Sequence, residues 1–156
     1  PAMLPRTPSA ITLGPVFHEA AQSLTTELTK NQRLVFAALT RAGTPLSAYQ
    51  ILDLLRDDGF RAPLQVYRAL DQLRGLGVVH RLESMNAFVA CSHAEDHAHH
   101  GEPIGFTICE RCGTVSEIHD ADFRAFVEGI GARSGFRAEK TTVEIRGLCA
   151  ECAGGA

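Results

Sequence analysis

The sequence contains no tryptophan, two tyrosines and two methionines, and no hydrophobic run approaches the ~20 residues needed to span a bilayer. Its first segment, PAMLPRTPSAITLGP, lacks the basic start and apolar stretch of a secretory signal peptide. Prolines and small polar residues give this segment little to bury, so residues 1–15 are predicted to be a flexible N-terminus. These absences predict a cytoplasmic protein with no membrane partner.

Charge is distributed unevenly along the 156 residues, although the formal net charge is only −3. Residues 1–86 carry nine Lys or Arg against seven Asp or Glu, whereas residues 87–156 carry six against eleven. All five cysteines lie in the acidic second half. A slightly basic half followed by an acidic half rich in cysteine and histidine predicts two modules with different partners.

The first half has the start and stop signals of three short helices. Two capping boxes, Thr29–Gln32 and Ser47–Gln50, each precede an apolar helical pattern, and Pro63 occupies the favoured first position of a third helix. Two alternating segments between residues 78 and 91 then predict a β-hairpin. Three helices and a hairpin predict a winged helix-turn-helix domain over residues 16–91. A helical domain that carries a hairpin without binding DNA is the alternative.

The second half predicts a different kind of unit. Residues 92–102 form a polar, histidine-rich connection that is predicted to be a hinge. Residues 103–156 predict a strand, a tight turn, a second strand, a helix and a longer strand. The whole chain is therefore predicted to be an α+β protein, with an N-terminal winged-helix domain and a small C-terminal α/β domain.

Four of the five cysteines form two pairs, Cys109-x-x-Cys112 and Cys149-x-x-Cys152. Two intervening residues let one turn present both sulfur atoms to one ion, and a second such turn completes a tetrahedron. The odd number of cysteines argues against a disulfide framework. The pattern predicts a structural zinc ion held by four thiolates, with two separate redox-active thiol turns as the alternative. A closed four-sulfur site should stabilise the fold rather than catalyse a reaction.

A second group of metal-binding residue types surrounds the remaining cysteine. Cys91 is followed by four histidines, at positions 93, 97, 99 and 100. His80 lies on the neighbouring hairpin strand, and Glu117 lies on the strand after the first cysteine pair. One thiolate, one or two imidazoles and one carboxylate would favour zinc over iron or manganese. Each residue also has an ordinary interpretation. His80 would be a surface histidine, Cys91 a small buried thiol and Glu117 a strand carboxylate, and the histidines after Cys91 would belong to a solvated loop.

Five segments, in order along the chain, carry a resemblance to a known family. They are LSAYQILDLLR (46–56), VYRALDQL (66–73), GVVHRLESMNAFVAC (77–91), ICERCGTVSEI (108–118) and GLCAEC (147–152). These segments resemble the Fur family of bacterial metalloregulators, and within it the zinc uptake regulators. The resemblance implies an N-terminal DNA-binding domain, a hinge and a C-terminal α/β dimerisation domain over residues 103–156. It also implies a homodimer that binds double-stranded operator DNA when loaded with zinc and represses metal-uptake genes.

The resemblance also implies which residues bind metal, with about two zinc ions per protomer, one structural and one regulatory. The family's structural ligands correspond to Cys109, Cys112, Cys149 and Cys152, and its regulatory ligands to His80, Cys91, His99 and Glu117. His97 competes with His99 as a regulatory ligand or joins it, and His100 is a further candidate. A third site of some relatives uses a histidine where this chain has Thr141, so that site is not expected in full.

DNA contacts are predicted from the third helix, its neighbours and the hairpin. Arg68 points away from the apolar side of its helix and is predicted, with Tyr67, to reach a base edge or a phosphate. Packing between helices is the alternative role of Tyr67. Gln65 and Tyr49, at helix starts, are predicted as further contacts. Lys30, at the start of the first helix, and Arg81, on the hairpin, are predicted to contact the DNA backbone.

Other classes of function are disfavoured by the same residues. Zinc deaminases combine H-x-E with P-C-x-x-C, and no proline precedes either cysteine pair here, so neither an enzyme nor a small-molecule substrate is predicted. A Fur-family regulator that senses iron, manganese or peroxide is the closest alternative. The resemblance implies that the iron and peroxide sensors of the family lack a thiolate at the position of Cys91, which favours zinc here. A thiol redox switch is a further alternative.

Overall fold

The computed structural model describes residues 27–92, 102–118 and 120–154 of the chain, so the predicted flexible segment 1–15 lies outside the described residues. None of the helices in these ranges is long and apolar enough to cross a membrane. The elements, in chain order, are α1 (Lys30–Ala42), α2 (Ala48–Leu54), α3 (Pro63–Gly75), β1 (Val79–Leu82), a 3-10 turn (Glu83–Met85), β2 (Ala87–Ala90), β3 (Ile104–Cys109), β4 (Val115–Ile118), α4 (Ala121–Arg133), β5 (Thr142–Gly147) and α5 (Ala150–Ala153).

The three N-terminal helices begin where the sequence predicts. The Thr29 and Ser47 side chains each accept a hydrogen bond from the backbone N–H three residues on, that of Gln32 and Gln50. In return, the side-chain oxygen of each glutamine accepts a hydrogen bond from the backbone N–H of the capping residue. Pro63 is the first residue of α3. Apolar residues of all three helices pack into one core, and the buried Gln32 of α1 donates a hydrogen bond to Gln72 of α3.

The hairpin β1–β2 follows α3 directly, as the wing of a winged helix. Its strands pair antiparallel, with His80 opposite Val89 and Leu82 opposite Ala87. The 3-10 turn joins them, and Asn86 closes it at a φ of 47°, a left-handed conformation that asparagine tolerates better than most residues. Backbone hydrogen bonds of 2.8 and 3.0 Å between Leu46 and Phe88 attach the loop after α1 to this hairpin.

The C-terminal unit is a three-stranded sheet in the order β4-β3-β5. Strand β4 pairs antiparallel with β3, whereas β5 returns parallel to β3 after the crossover through α4. The Asp120 side chain caps α4, which ends at Arg133. The predicted α+β class, with an N-terminal winged helix and a small C-terminal α/β unit, is confirmed. The limits proposed for the domains stay predictions.

The wing lies between the two units and packs on both faces. Val79 and Phe88 point into the core of the three helices. The opposite face carries Leu82 and Val89, which pack with Phe106 and other apolar residues of the C-terminal sheet. Because side chains alternate between the faces of a strand, one hairpin of two four-residue strands can contribute to both cores. The wing therefore contributes side chains to the cores of both units.

Candidate metal centres and nucleic-acid interface

The four paired cysteines converge at one end of the C-terminal sheet. Cys109 is the last residue of β3 and Cys112 lies in the turn after it, whereas Cys149 precedes α5 and Cys152 lies within it. Parallel pairing of Cys109 with Gly147 brings the two turns together. The four sulfur atoms lie within 4.8 Å of one another, and all are free thiols. Four thiolates in this arrangement match the donor set of a structural zinc ion.

The environment of these thiols favours partial ionisation even before a cation is considered. Hydrogen bonds from the backbone N–H groups of Cys112 and then Cys149 lower the pKa of Cys109 to about 6. A hydrogen bond between the Cys112 thiol and the Thr114 hydroxyl, with 3.1 Å between Sγ and Oγ1, is the main cause that lowers the pKa of Cys112. Hydrogen bonds with the other thiols, that of Cys149 first, raise the pKa of Cys152 to about 12. The cluster therefore resists complete ionisation unless a cation compensates the charge.

A second cluster joins the wing to the C-terminal sheet. His80 on β1, Cys91 immediately after β2 and Glu117 on β4 each present one ligand atom, and these atoms lie within 4.8 Å of one another. Cys91 is buried, with its backbone N–H bonded to the Val78 carbonyl at 2.9 Å. Nitrogen, sulfur and oxygen donors at this spacing fit a zinc ion that takes its ligands from both units.

Neighbouring residues orient two members of this cluster. The backbone N–H and the hydroxyl of Ser92 donate to one oxygen of Glu117, at 3.2 and 2.7 Å. The His80 ring is tilted against Phe106, with ring centroids 5.7 Å apart. Sequence reasoning missed Ser92, for which the only available signal is its position directly after Cys91. Hydrogen bonds of this kind fix ligands and tune a metal site.

The cluster opens into a cleft of about 450 Å³ between the wing, the end of α3 and the C-terminal unit. The predicted ligands His97 and His99, and the further candidate His100, lie outside the described residues. They belong to the segment between Cys91 and Glu102, both of which line the cleft. The structure therefore brings together three of the predicted regulatory ligands, and the fourth stays a prediction.

The predicted DNA contacts divide into exposed residues and residues already engaged. Arg68 on α3 and Lys30 at the start of α1 are exposed, and Tyr49 on α2 is 64% exposed. Tyr67 is half-buried against the helical core, in keeping with its alternative packing role. The remaining two residues form local hydrogen bonds, namely Gln65 Oε1 with the N–H groups of Arg61 and Ala62, and Arg81 with Asn86.

Comparison with proteins of known function identifies relatives along most of the chain. A zinc uptake regulation protein from Escherichia coli strain K12 is 37% identical over 126 residues, which are 80% of this chain and 72% of that protein. A zinc uptake regulation protein from Mycobacterium tuberculosis is 29% identical over 107 residues, or 68% of this chain and 78% of that one.

Solved structures resemble the model over a similar extent. Holo XcZur superposes with a TM-score of 0.74 at 38% identity, covering 88% of this chain and 94% of its own. A zinc uptake regulator in complex with zinc and DNA superposes with a TM-score of 0.75 at 32% identity, covering 86% and 92%. The model of the ferric uptake regulator family matches residues 24–146. This chain therefore belongs to the ferric uptake regulator family.

Proposed function

We propose that the protein is a zinc-responsive transcriptional repressor of metal-uptake genes, which binds operator DNA as a zinc-loaded homodimer in the cytoplasm. The relatives named as zinc uptake regulation proteins, and the similar regulator solved with zinc and DNA, support this proposal. The family and its regulators also favour DNA binding over catalysis.

The cluster of His80, Cys91 and Glu117 is the observation that carries the proposal. Its ligands come from the wing and from the C-terminal sheet, so an ion bound there would hold the two units in one arrangement. A ligand shifts a conformational equilibrium only if it binds one state better than the other. Zinc would do so because only the closed arrangement assembles the site. We propose His99 as the fourth ligand, with His97 or His100 in its place as alternatives.

The four-cysteine cluster would hold a second zinc ion with a structural role. Its donor set leaves no position for a substrate, because four thiolates complete a tetrahedron. One structural and one regulatory ion give about two zinc ions per protomer.

Exposed apolar side chains on the C-terminal unit support the proposed homodimer. They lie on α4, on β5 and in the segments after them, and side chains of this size are costly to leave in water together. A second copy of the chain would cover them and would place two winged helices for adjacent half-sites, ~34 Å apart. The residues are Phe126, Ile130, Phe136, Ile145 and Leu148.

For DNA contact we propose the exposed residues first. Arg68 would read a base edge or bind a phosphate from α3, and Tyr49 and Lys30 would contact the duplex from the starts of α2 and α1. Arg81 would contact the backbone through the wing. We place Gln65 and Tyr67 second, because both side chains already have structural roles.

A family regulator that senses iron or manganese is the second candidate, and the Cys91 thiolate distinguishes the two. A buried thiolate is a soft donor, which suits zinc better than iron(II) or manganese(II). Competition between these ions for the purified protein would decide the question, with zinc expected to displace the others.

The first test combines metal analysis with DNA binding. We expect the wild-type protein to hold about two zinc ions per protomer, and Cys91→Ser to hold about one. Cys91→Ser should also lose zinc-dependent binding to a duplex selected from a random pool, by tenfold or more, because the regulatory ion no longer favours the DNA-binding state.

Ser116→Ala is the matched control, since Ser116 is exposed on β4 beside Glu117 but is not a predicted ligand. It should behave as wild type. Selection of no duplex by the zinc-loaded protein, or zinc-dependent binding that survives in Cys91→Ser, would overturn the proposal.

A further inference from the structure

The tip of the wing is held by a carboxylate from the C-terminal sheet. Glu144 lies on β5, 61 and 60 positions along the chain from Glu83 and Ser84 of the wing, and its two oxygens accept hydrogen bonds from the consecutive backbone N–H groups of these residues. The distances are 2.7 Å from Glu83 and 3.1 Å from Ser84. These two residues open the 3-10 turn, and the first N–H groups of a helical turn have no partner within it. Glu144 therefore caps the wing turn from another part of the fold.

The surroundings keep this carboxylate ionised. Burial raises the pKa of Glu144, but hydrogen bonds from the Ser84 side chain and from the N–H groups of Glu83 and Ser84 outweigh it, and the charge of Arg146 adds to them. The pKa therefore lies below its usual value. Hydrogen bonds to an ionised acceptor are roughly twice as strong as neutral ones.

The carboxylate and the candidate metal cluster lie at opposite ends of the same hairpin. His80 and Cys91 are at the end nearest the helices, whereas Glu83 and Ser84 form the turn. His80 and Glu83 are three positions apart in the sequence, which is ~10 Å along a strand. Between them, Leu82 is fully buried against Phe106 and Ile108 of the C-terminal sheet.

A hairpin held only at one end could still pivot about that end. Contacts at both ends fix the direction of the hairpin as well as its position. Only three residues separate the end of α3 from the start of β1, so the direction of β1 also determines the orientation of α3. We propose that Glu144 is a positioning residue that fixes the tip of the wing against the C-terminal unit, so that the regulatory ion and the carboxylate together orient the winged helix for DNA. This inference rests on the proposed function.

Two variants test the role of the carboxylate. Glu144→Gln retains the shape but presents an NH₂ group to one of the two N–H donors, and Glu144→Ala removes both acceptors. We expect zinc-loaded Glu144→Gln to bind the selected duplex about tenfold more weakly than wild type, the loss expected for one charge-assisted hydrogen bond. Glu144→Ala should be weaker still. Glu128→Gln makes the same chemical change on the exposed face of α4 and should leave binding unchanged.

Amide hydrogen exchange of the zinc-loaded protein tests the contact without DNA. The N–H groups of Glu83 and Ser84 should exchange about tenfold faster in Glu144→Gln than in wild type or Glu128→Gln, because the ionised acceptor that protects them is lost. Zinc content and helix content should stay at wild-type levels, which separates positioning from general destabilisation. Unchanged exchange at both amides in Glu144→Ala, or wild-type DNA affinity in both Glu144 variants, would overturn the inference. If the wild-type protein selected no duplex but amide exchange at Glu83 and Ser84 changed as expected, the proposed function and the DNA-orienting role would be overturned. The contact between Glu144 and the wing would still be supported.

Discussion

At the scale of single residues, the packing of the C-terminal unit depends on a position without a side chain. Gly105 is buried in the central strand β3, and a Cβ atom there would lie 2.8 Å from Ile118 Cδ1 and 2.9 Å from Phe123 Cζ. Both distances are shorter than side-chain contacts in proteins allow. The glycine lets α4 and β4 pack closely against the middle of the sheet.

We predict that Gly105→Ala destabilises the zinc-loaded protein by about 1–3 kcal/mol, because Ile118 and Phe123 must move in a packed region. Thermal or urea unfolding would measure the change. Gly147→Ala is the matched control, since a Cβ at Gly147 on the neighbouring strand meets nothing within 4 Å. Equal stability of the two variants would contradict the close packing at Gly105.

At the scale of elements, the first turn of α2 depends on its capping box. Ser47 Oγ accepts a hydrogen bond from the Gln50 N–H at 3.2 Å, and Gln50 Oε1 accepts one from the Ser47 N–H at 2.8 Å. The helix has only seven residues, so each terminal hydrogen bond is a large share of its stability. The same turn presents Tyr49, a proposed DNA contact.

We predict that Ser47→Ala lowers the free energy of unfolding by about 1 kcal/mol, the usual cost of losing such a cap. Ser47→Asp keeps an accepting oxygen at the cap position and should stay within a few tenths of a kcal/mol of wild type. Urea unfolding of the three proteins would compare them. A loss of equal size in Ser47→Asp would indicate that the hydroxyl has another role.

Elements were predictable where their signals are local. Capping boxes and the first-turn proline lie within four residues of the helix starts that they predict, and each of the three N-terminal helices begins as expected. The cysteine pairs likewise predict a metal site from local sequence, because the spacing of two residues itself implies a shared ion. The contact of Glu144 with the wing joins residues 60 positions apart and leaves no periodic pattern, so sequence reasoning missed it. Sequence reasoning also missed the capping bonds of Gln65 although they are local, because the N-cap residue is Ala62, whose side chain offers no acceptor.

At the scale of the whole molecule, the two units differ in how much core each one has. The core of the helices and wing contains seventeen buried residues in the described part of the chain, whereas the C-terminal cluster contains three. One of those three is Leu82, which the wing supplies. No side chain of α4 is fully buried, and Phe126 and Ile130 are exposed on it. A unit with so little core needs another source of stability, such as a metal ion or a partner subunit.

Because its core is so small, the C-terminal unit is expected to depend on a zinc ion at the four cysteines. Removal of zinc from the four cysteines by a strong chelator should unfold the C-terminal unit, because the binding energy of a structural zinc ion is also folding energy. The helices α1–α3 should keep their amide protection, since their core does not involve the cysteines. The proposed dimer should dissociate, because its apolar surface lies on the unit that unfolds. Hydrogen exchange and sedimentation velocity would report the two events separately. Cys91→Ser, which is expected to lose only the regulatory ion, is the control and should remain folded and dimeric. Loss of protection in α1–α3 at the same chelator concentration would show that the molecule unfolds as one cooperative body.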